Sequence, residues 1–531
     1  MFGWIAEPSA DDEGVSRADL LRRQLRWVTI SWLFGSFWFW TINGAAMTQF
    51  ARALGTPDSG FGWLAALPFI GTLMQLPAGW AIERFGHRKS LFLVSSTLGR
   101  LLWSIAAAIP WFLPNAGQWW WPAMAVTLGL SWALMNVGTP AWMSWMSDLI
   151  PRRLRGRYFG IRNMVAQPIG LLATLGIGYG LDLAEKAADM EPGLMLRVTS
   201  AILAIAGLMG ALDILCFRCV HDHGAVRREQ TITFREMIGP PLADPNFRLF
   251  LAFNFVFTFA TAYIGQYMWL YLFDILHWSN AQANFLVVAI PILLRMGTYH
   301  LWGKLIDRVG KKPILILGGG VTVFGAVGWM LMTEHSIWPG YLLVVLTTLA
   351  WPGVEIANFN LVLDLAGSDH DQPQPAKAGS PSANPQSPIP RRASGTAYVA
   401  VFSIIVAIAG ILSGLFGRQI AKSFADMPPR TFGPQDAPFT YHSILFIIST
   451  LLRAAALVFL IRLFEPRAVA TRDAVRVIVG GFYSNVQRVA LYPTQAVGAI
   501  YRATYRLNPP APSARRADGV KRLTRRSIRR G

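Results

Sequence analysis

From Trp27 to Phe50, and again from Thr396 to Gly417, the chain runs without one charged residue. Stretches of about 18 or more such residues are long enough to cross a hydrocarbon core ~30 Å thick. Backbone amides in that environment must bond within their own segment, so each run is read as a helix. Comparable runs fill most of the chain, at 27–50, 60–82, 90–111, 119–147, 158–181 and 194–220, then at 247–273, 281–306, 313–332, 338–363, 396–423 and 441–464. The expected fold is therefore all-α and integral to the membrane, with about twelve transmembrane helices in two pseudo-symmetric six-helix bundles. Composition agrees, with 53% hydrophobic and 15% charged residues, where soluble domains carry roughly a quarter charged residues.

The formal net charge of +19 would suit a nucleic-acid partner if the cations formed one surface. They lie instead in alternate loops: Arg17 to Arg26, Arg84 to Lys89, Arg152 to Arg162, Arg227 to Arg235, Arg308 to Lys312, Arg391 with Arg392, and the tail. The intervening connections are poor in cations, and the one holding Asp182, Glu185, Asp189 and Glu191 is acidic. Positive loops stay on the cytoplasmic side during insertion. The expected topology is a multi-pass protein of the cell membrane with both termini in the cytoplasm, and no nucleic acid is needed to explain the charge. The first apolar segment lacks the features of a cleaved signal peptide and is read as a retained helix.

Six regions follow from this pass: an N-terminal cytoplasmic segment at 1–26, a first bundle at 27–220, a linker at 221–246, a second bundle at 247–464, a Pro- and Ser-rich insert at 366–389 inside it, and a basic tail at 465–531. The insert has no periodicity and is read as disordered. In the tail, Val475, Val479, Phe482, Val486 and Val489 recur at helical spacing among Arg472, Arg476 and Arg488. That pattern suits a helix lying on anionic lipid, to which each nearby cation contributes ~1 kcal/mol.

An internal repeat is visible in two loops. Gly79-Trp-Ala-Ile-Glu83-Arg84-Phe-Gly86-His87-Arg88-Lys89 follows the second expected span, and Gly303-Lys-Leu-Ile-Asp307-Arg308-Val-Gly310-Lys311-Lys312 follows the eighth. A further echo sets Asp148 and the basic run after it, past the fourth span, against Asp364 and the later Arg391-Arg392. Glycines let a helix end turn tightly or approach a neighbour, and acid–base pairs beside them form a network able to hold one arrangement of two halves.

These loops resemble the signature of the major facilitator superfamily, G-x-x-x-D-[RK]-x-G-[RK]-[RK]. The second copy fits fully, and the first departs at Glu83 and His87. The resemblance implies that Gly79, Glu83, Arg84, Gly86, Arg88, Asp148 and Arg157 belong to a cytoplasmic gate that latches the outward-open state. Gly303, Asp307, Arg308, Gly310, Lys311 and Asp364 would be its weaker copy. It also implies that the first, fourth, seventh and tenth helices line a central cavity, flanked by the second, fifth, eighth and eleventh.

A charge inside the hydrocarbon costs ~2.5–3.5 kcal/mol on insertion scales, so each one needs a partner or a watery cavity. The intramembrane set is Arg100, Asp213, Arg295, Glu355 and Arg453. On the family's architecture Arg295 and Glu355 face the cavity or each other, as substrate anchor and proton-responsive carboxylate. Arg100, Asp213 and Arg453 are then peripheral. Neutral candidates for the lining are Asn43, Gln75, Asn136, Asn254, Tyr263, Gln266 and Asn358, a set suited to a polar or amphiphilic organic solute.

Cys216-x-x-Cys219-x-His221-x-His223 has zinc-ligand residue types, but four ligands within so short a stretch leave little chain to wrap a tetrahedral ion. No metal or cofactor is expected, and no P-loop or nucleophile elbow is present, so enzymatic hydrolysis is not indicated. The expected function is secondary transport of a small-molecule substrate by a monomer, with proton coupling through Glu355. The alternative is a receptor or scaffold that keeps the same fold without transporting.

Overall fold

A computed structural model describes residues 17–188, 190–222, 234–333, 338–367, 395–428, 430–432, 437–466 and 468–481. The N-terminal residues 1–16, most of the insert at 366–389, and the tail beyond residue 481, with Phe482, Val486 and Val489, lie outside the described residues. The helices of the first half are α1 Arg17–Ile42, α2 Ala45–Ala53, α3 Asp58–Thr72, α4 Gln75–Phe85, α5 Arg88–Phe112, α6 Gly117–Leu149, α7 Arg152–Ala188 and α8 Leu194–Leu215. After α9 Phe234–Ala243 come α10 Pro245–Ala262, α11 Ile264–Leu270, α12 Asn280–Asn284, α13 Ile290–Val309, α14 Lys311–Trp329, α15 Trp338–Gly367, α16 Gly395–Ser423 and α17 Tyr441–Arg462. A short antiparallel hairpin, β1 Arg430–Phe432 with β2 Ala437–Phe439, joins the last two.

Nine helical segments among the described residues are long and apolar enough to cross a membrane. The expected first, fourth and eighth spans are not among the nine, although the chain is helical through most of 17–53, 117–149 and 280–309. Their sequences explain this. α6 is rich in Trp, Gly, Ser and Pro, which weigh little on a hydropathy scale, although Trp suits the membrane interface and Gly and Pro are frequent in transmembrane helices.

Helix ends follow local chemistry. Gly86 closes α4 at φ +73° and Gly310 separates α13 from α14 at φ +92°, conformations that favour glycine. Asp244 caps α10, accepting from the Asn246 amide at 2.8 Å with Pro245 in the first turn. Ser279 and Gln282 form a capping box on α12. Two expected spans are broken: the first at Asn43–Gly44 between α1 and α2, and the second at Leu73–Met74 between α3 and α4. Five-residue π-turns occupy Tyr271–Ile275 and Phe285–Ala289, on either side of the α11–α12 connection.

The helices pack in two groups, α1 to α8 and α10 with α13 to α17, and meet where α3 lies on α16 and where α7 lies on α12. One hydrophobic core runs through both groups at that meeting, joining Phe50, Phe61 and Leu67 to Tyr267, Leu270, Leu445 and Phe446. These residues belong to the compact unit Met1–Thr471. A second unit, Arg472–Gly531, begins in a helix over 471–481 that carries Val475 and Val479.

Candidate functional site

At the face of the basic loops each half carries its own charge clamp. The first turn of α5 presents Arg88, whose side chain is 1% exposed and pairs with Asp148 at the end of α6. Its Nε and Nη2 also donate to Asp222 Oδ1 at 3.0 and 2.7 Å. Lys89 beside it donates to the carbonyls of Arg218 and Val220 at 3.3 and 2.7 Å. The second half repeats the plan: Lys311 at the start of α14 pairs with Asp364 and lies 3.7 Å from Glu465. Lys312 then donates to the carbonyls of Ile461 and Leu463 at 2.9 and 2.8 Å.

Arg88 thus corresponds to Lys311, Asp148 to Asp364 and Asp222 to Glu465. This one-residue offset from the aligned motif arises because His87 precedes α5, whereas Gly310 itself precedes α14. Asp222 and Glu465 were outside the sequence-based candidate set, since each follows a span and resembles an ordinary loop acid. The clamps differ from the expected gate in that every one of these bonds stays within its own half. Arg84, Asp307 and Arg308 are exposed, with Arg84 lying over the Trp80 ring at 5.4 Å. The side chains of Glu83 and Arg157 lie outside the described set.

The clamp predicts a graded response. Arg88→Ala removes the guanidinium from Asp222, whose side chain is only 6% exposed, and is expected to cost about 1.5–3 kcal/mol of stability. Asp148→Asn alters a pair whose acid is 59% exposed, so less than about 1 kcal/mol is expected. Thermal unfolding of the two variants checks the order.

The halves are joined at the opposite face. Asp182, near the end of α7, accepts from the amides of Asn280 and Ala281 at 2.6 and 3.1 Å, and Glu185 accepts from Asn280 Nδ2 at 3.0 Å. Asn280 Oδ1 accepts from Gln49 Nε2 at 2.7 Å, and Asn284 Oδ1 from the Ala45 amide at 2.9 Å. Arg52 pairs with Asp274, and Tyr441 donates to Asp58 at 2.6 Å. Backbones touch here too: a Cβ on Gly62 would lie 2.5 Å from the Gly414 carbonyl oxygen, and one on Gly178 would lie 2.9 Å from Ala281. By contrast, a Cβ on Gly79 or Gly303 would meet nothing within 4 Å. These hydrogen bonds and ion pairs between the halves all lie at this face. Of the latch residues, Asp182 and Glu185 were read from sequence only as part of an acidic connection.

Between the faces, the polar candidates pair within each half. Gln75 Nε2 donates to Asn136 at 2.7 Å in the first, and Asn358 Nδ2 donates to Asn254 at 2.8 Å in the second. Tyr263 is fully buried with its hydroxyl on the Leu445 carbonyl at 3.0 Å, which makes it a packing residue and corrects its reading as cavity lining. Asn43 is exposed and bonds the Phe39 carbonyl in its own helix at 2.8 Å, while Gln266 is half-buried. Glu355 is exposed and accepts from Trp351 Nε1 at 2.6 Å. Arg295 is half-buried, and its Nε is buried without a hydrogen-bond partner.

Three other arginines are deeply placed. Arg100 lies 3.3 Å from Asp213, with its guanidinium 3.5 Å above the Trp38 ring. Arg453 donates to the Thr322 carbonyl at 2.8 Å. Arg162, read from sequence as a loop cation, is 7% exposed, donates to the Val28 carbonyl at 3.2 Å and sits 4.5 Å over Trp32.

Two helical groups closed at one face, with a repeated charged loop at the other, have clear counterparts. The niacin transporter NiaP of Acinetobacter baylyi is 24% identical over 348 residues, which span 57% of this chain and 74% of that protein. Among solved structures, the nucleoside transporter NupG superposes with a TM-score of 0.55 at 12% identity, covering 84% of this chain and 99% of its own. A bacterial homologue of the human lysosomal transporter Spinster, solved inward-facing and unoccupied, gives 0.54 at 17% identity, covering 89% and 99%. The Major Facilitator Superfamily model matches residues 30–373, and the chain belongs to that superfamily of membrane transporters.

Proposed function

We propose that this chain is a secondary active carrier of a small organic solute, working by alternating access of two halves to a site between them. The observation that carries this reading is the asymmetry of contact: the halves are latched through Asp182, Glu185, Asn280 and Asn284, while Gly79 and Gly303 stand clear at the basic face. By the positive-inside rule that basic face is cytoplasmic, so this arrangement is the inward-facing one. The latch consists of hydrogen bonds and ion pairs, a kind of contact that can break and re-form in each cycle. Both termini then lie in the cytoplasm of a cell-membrane protein. The helix over 471–481, with exposed Val475 and Val479 beside Arg472 and Arg476, supports a tail that rests on anionic lipid.

The expected gate role of the clamps changes on this reading. Arg88 and Lys311 hold each half rigid at its end, and the latch that must break lies at the outer face. The named relative makes nicotinate a first substrate probe, and Glu355 is the proton-responsive group of the proposed cycle.

A cysteine reporter tests the motion. In a chain with Cys216 and Cys219 replaced by serine, Gly79→Cys is expected to react readily with a water-soluble maleimide. Adding Asp182→Asn with Glu185→Gln weakens bonds to charged acceptors, each worth about 1.5–3 kcal/mol, and is expected to slow labelling at least ~10-fold as the halves redistribute. Unchanged labelling would favour a non-transporting receptor or scaffold.

A further inference from the structure

We propose that Cys216 and Cys219 are a reversible redox pair, a dithiol that a peroxide closes to a disulfide and that acts on the clamp of the first half. They are the two cysteines of the whole chain, three residues apart. They open and close a four-residue 3-10 turn, Cys216–Cys219, that follows α8. In such a turn side chains three apart eclipse one another. Both thiols therefore stand on one side of it, close enough to interact electrostatically. Cys219 is exposed and Cys216 is half-buried. The chemistry the pair offers is that of two neighbouring thiols: among the described residues no third metal-ligating side chain completes a group with them.

The second half builds the same clamp without thiols. Lys89 takes the carbonyls of Arg218 and Val220 where Lys312 takes those of Ile461 and Leu463, and Asp222 stands where Glu465 does. That register sets Phe459 and Arg462 opposite Cys216 and Cys219. There the chain stays α-helical to Arg462, whereas the first half leaves the α-helix at Leu215. The clamp therefore needs neither cysteine. What distinguishes the first half is a thiol pair set on a tighter turn.

The turn is tied to its neighbours just beyond the second thiol. Besides the Lys89 bonds, Trp145 Nε1 donates to the His221 carbonyl at 3.0 Å and Arg88 holds Asp222. A 3-10 turn rises ~2.0 Å per residue, which sets Cβ atoms three apart at ~6 Å, against the ~3.8 Å that a disulfide takes. Closing the bond thus draws the ends of the turn together by about 2 Å. The Arg218 carbonyl lies inside the closed ring and the Val220 carbonyl one residue past it. The pull therefore falls on Lys89, and first on its longer bond, to Arg218 at 3.3 Å. Such strain also makes the disulfide easier to reduce. The basic face is cytoplasmic in the reading above, and cytosolic disulfides are mostly transient, catalytic or redox-sensing, so ready reversal is the property a switch there needs.

The bond forms in two balanced steps with hydrogen peroxide as oxidant. The exposed Cys219 sulfur attacks one peroxide oxygen, the O–O bond breaks, and the thiol proton leaves with the second oxygen as water, giving a sulfenic acid. The Cys216 sulfur then attacks the sulfenic sulfur, the S–O bond breaks, and the departing hydroxyl takes the Cys216 proton as a second water. Two thiols are oxidised and one peroxide is reduced. An added dithiol reverses the change by exchange.

The test uses the purified full chain in detergent, with hydrogen peroxide as the probe. Both thiols are expected to lose reactivity toward maleimide together, in a peptide lighter by two hydrogens, and to regain it with dithiothreitol. The unfolding temperature should fall on oxidation and recover on reduction. Cys216→Phe with Cys219→Arg, which copies the second half, should fold and show no such shift with peroxide, as should Cys216→Ser with Cys219→Ser. Lys89→Met should unfold at a lower temperature than the native chain and lose most of the further fall on oxidation, because the bonds that the disulfide disturbs are already absent. Sulfinic acid on Cys219 with Cys216 still free, or a disulfide-linked dimer, would overturn the pair. A disulfide that leaves the unfolding temperature unchanged, or lowers it as far in Lys89→Met as in the native chain, would overturn its action on the clamp. None of these readouts uses transport, so the carrier reading stands or falls separately.

Discussion

Asp213→Ala is expected to lower stability by about 3–5 kcal/mol, because removing one partner of a buried ion pair strands the other. Arg100 is 9% exposed and its Nε and Nη1 already lack hydrogen-bond partners, so the lost carboxylate would leave the guanidinium only the Trp38 face. Against a typical total of roughly 5–15 kcal/mol that is a large fraction, and thermal unfolding in detergent would register it. The double variant Arg100→Leu with Asp213→Leu is expected to recover most of the loss, since apolar replacements of both partners are often neutral or better. Equal stability of the single and double variants would mean that the pair contributes nothing. Gly35→Ala should move in the same direction as Asp213→Ala, because its Cβ would collide with Asp213 Oδ2.

Gly79→Phe should do the opposite: leave stability within about 0.5 kcal/mol and remove turnover. In this structure an added side chain at residue 79 meets open space, and such substitutions are usually near neutral. Closure of the basic face in the proposed cycle requires helices at equivalent positions of the two halves to approach, as Gly62 and Gly414 already do at the other face. Overpacking that contact by a ring costs about 1–3 kcal/mol, which is roughly a 5- to 150-fold loss of the closed state. Gly303→Phe is expected to behave alike. Uptake measured beside thermal unfolding separates the two quantities, and normal uptake by both variants would mean that the basic face closes somewhere else.

Much of the fold was legible because hydrocarbon imposes a length on each helix. The expected span at 396–423 corresponds to α16 at Gly395–Ser423, and that at 281–306 falls inside 280–309. The break at Leu73–Met74 was not legible, since no glycine or proline occupies it and it depends on how α3 and α4 pack against α6. Site residues divided along the same line. Loop motifs stand out by spacing, so Arg88, Asp148, Lys311 and Asp364 could be named. Asp222 and Glu465 become partners only when the end of a distant helix is carried beside α5 or α14. Asp182 and Glu185 were read as a loop because the expected span ended at Leu181, whereas α7 runs on to Ala188 and carries both acids against Asn280. Arg162 was counted with the basic run although it fell inside the expected span from 158, because its burial depends on the packing of α7 against α1, which sets its guanidinium over Trp32.

The two π-turns bear on how the latched face would open in the proposed cycle. They bracket the α11–α12 connection and include Asp274 in the first, and the hydrogen bonds described above to Asp182, Glu185, Gln49 and Ala45 come from the segment beyond it. A π-turn widens the helix by one residue and loosens the regular hydrogen-bond ladder, a common place for a helix to flex. The hairpin between them is therefore hinged at both roots, like a flap. In the proposed cycle it is expected to lift from α7 while α13 and α10 keep their packing, which makes the first event of opening a local one. Amide exchange at Asn280, Ala281 and Asn284 should then run ahead of exchange in the middle of α13.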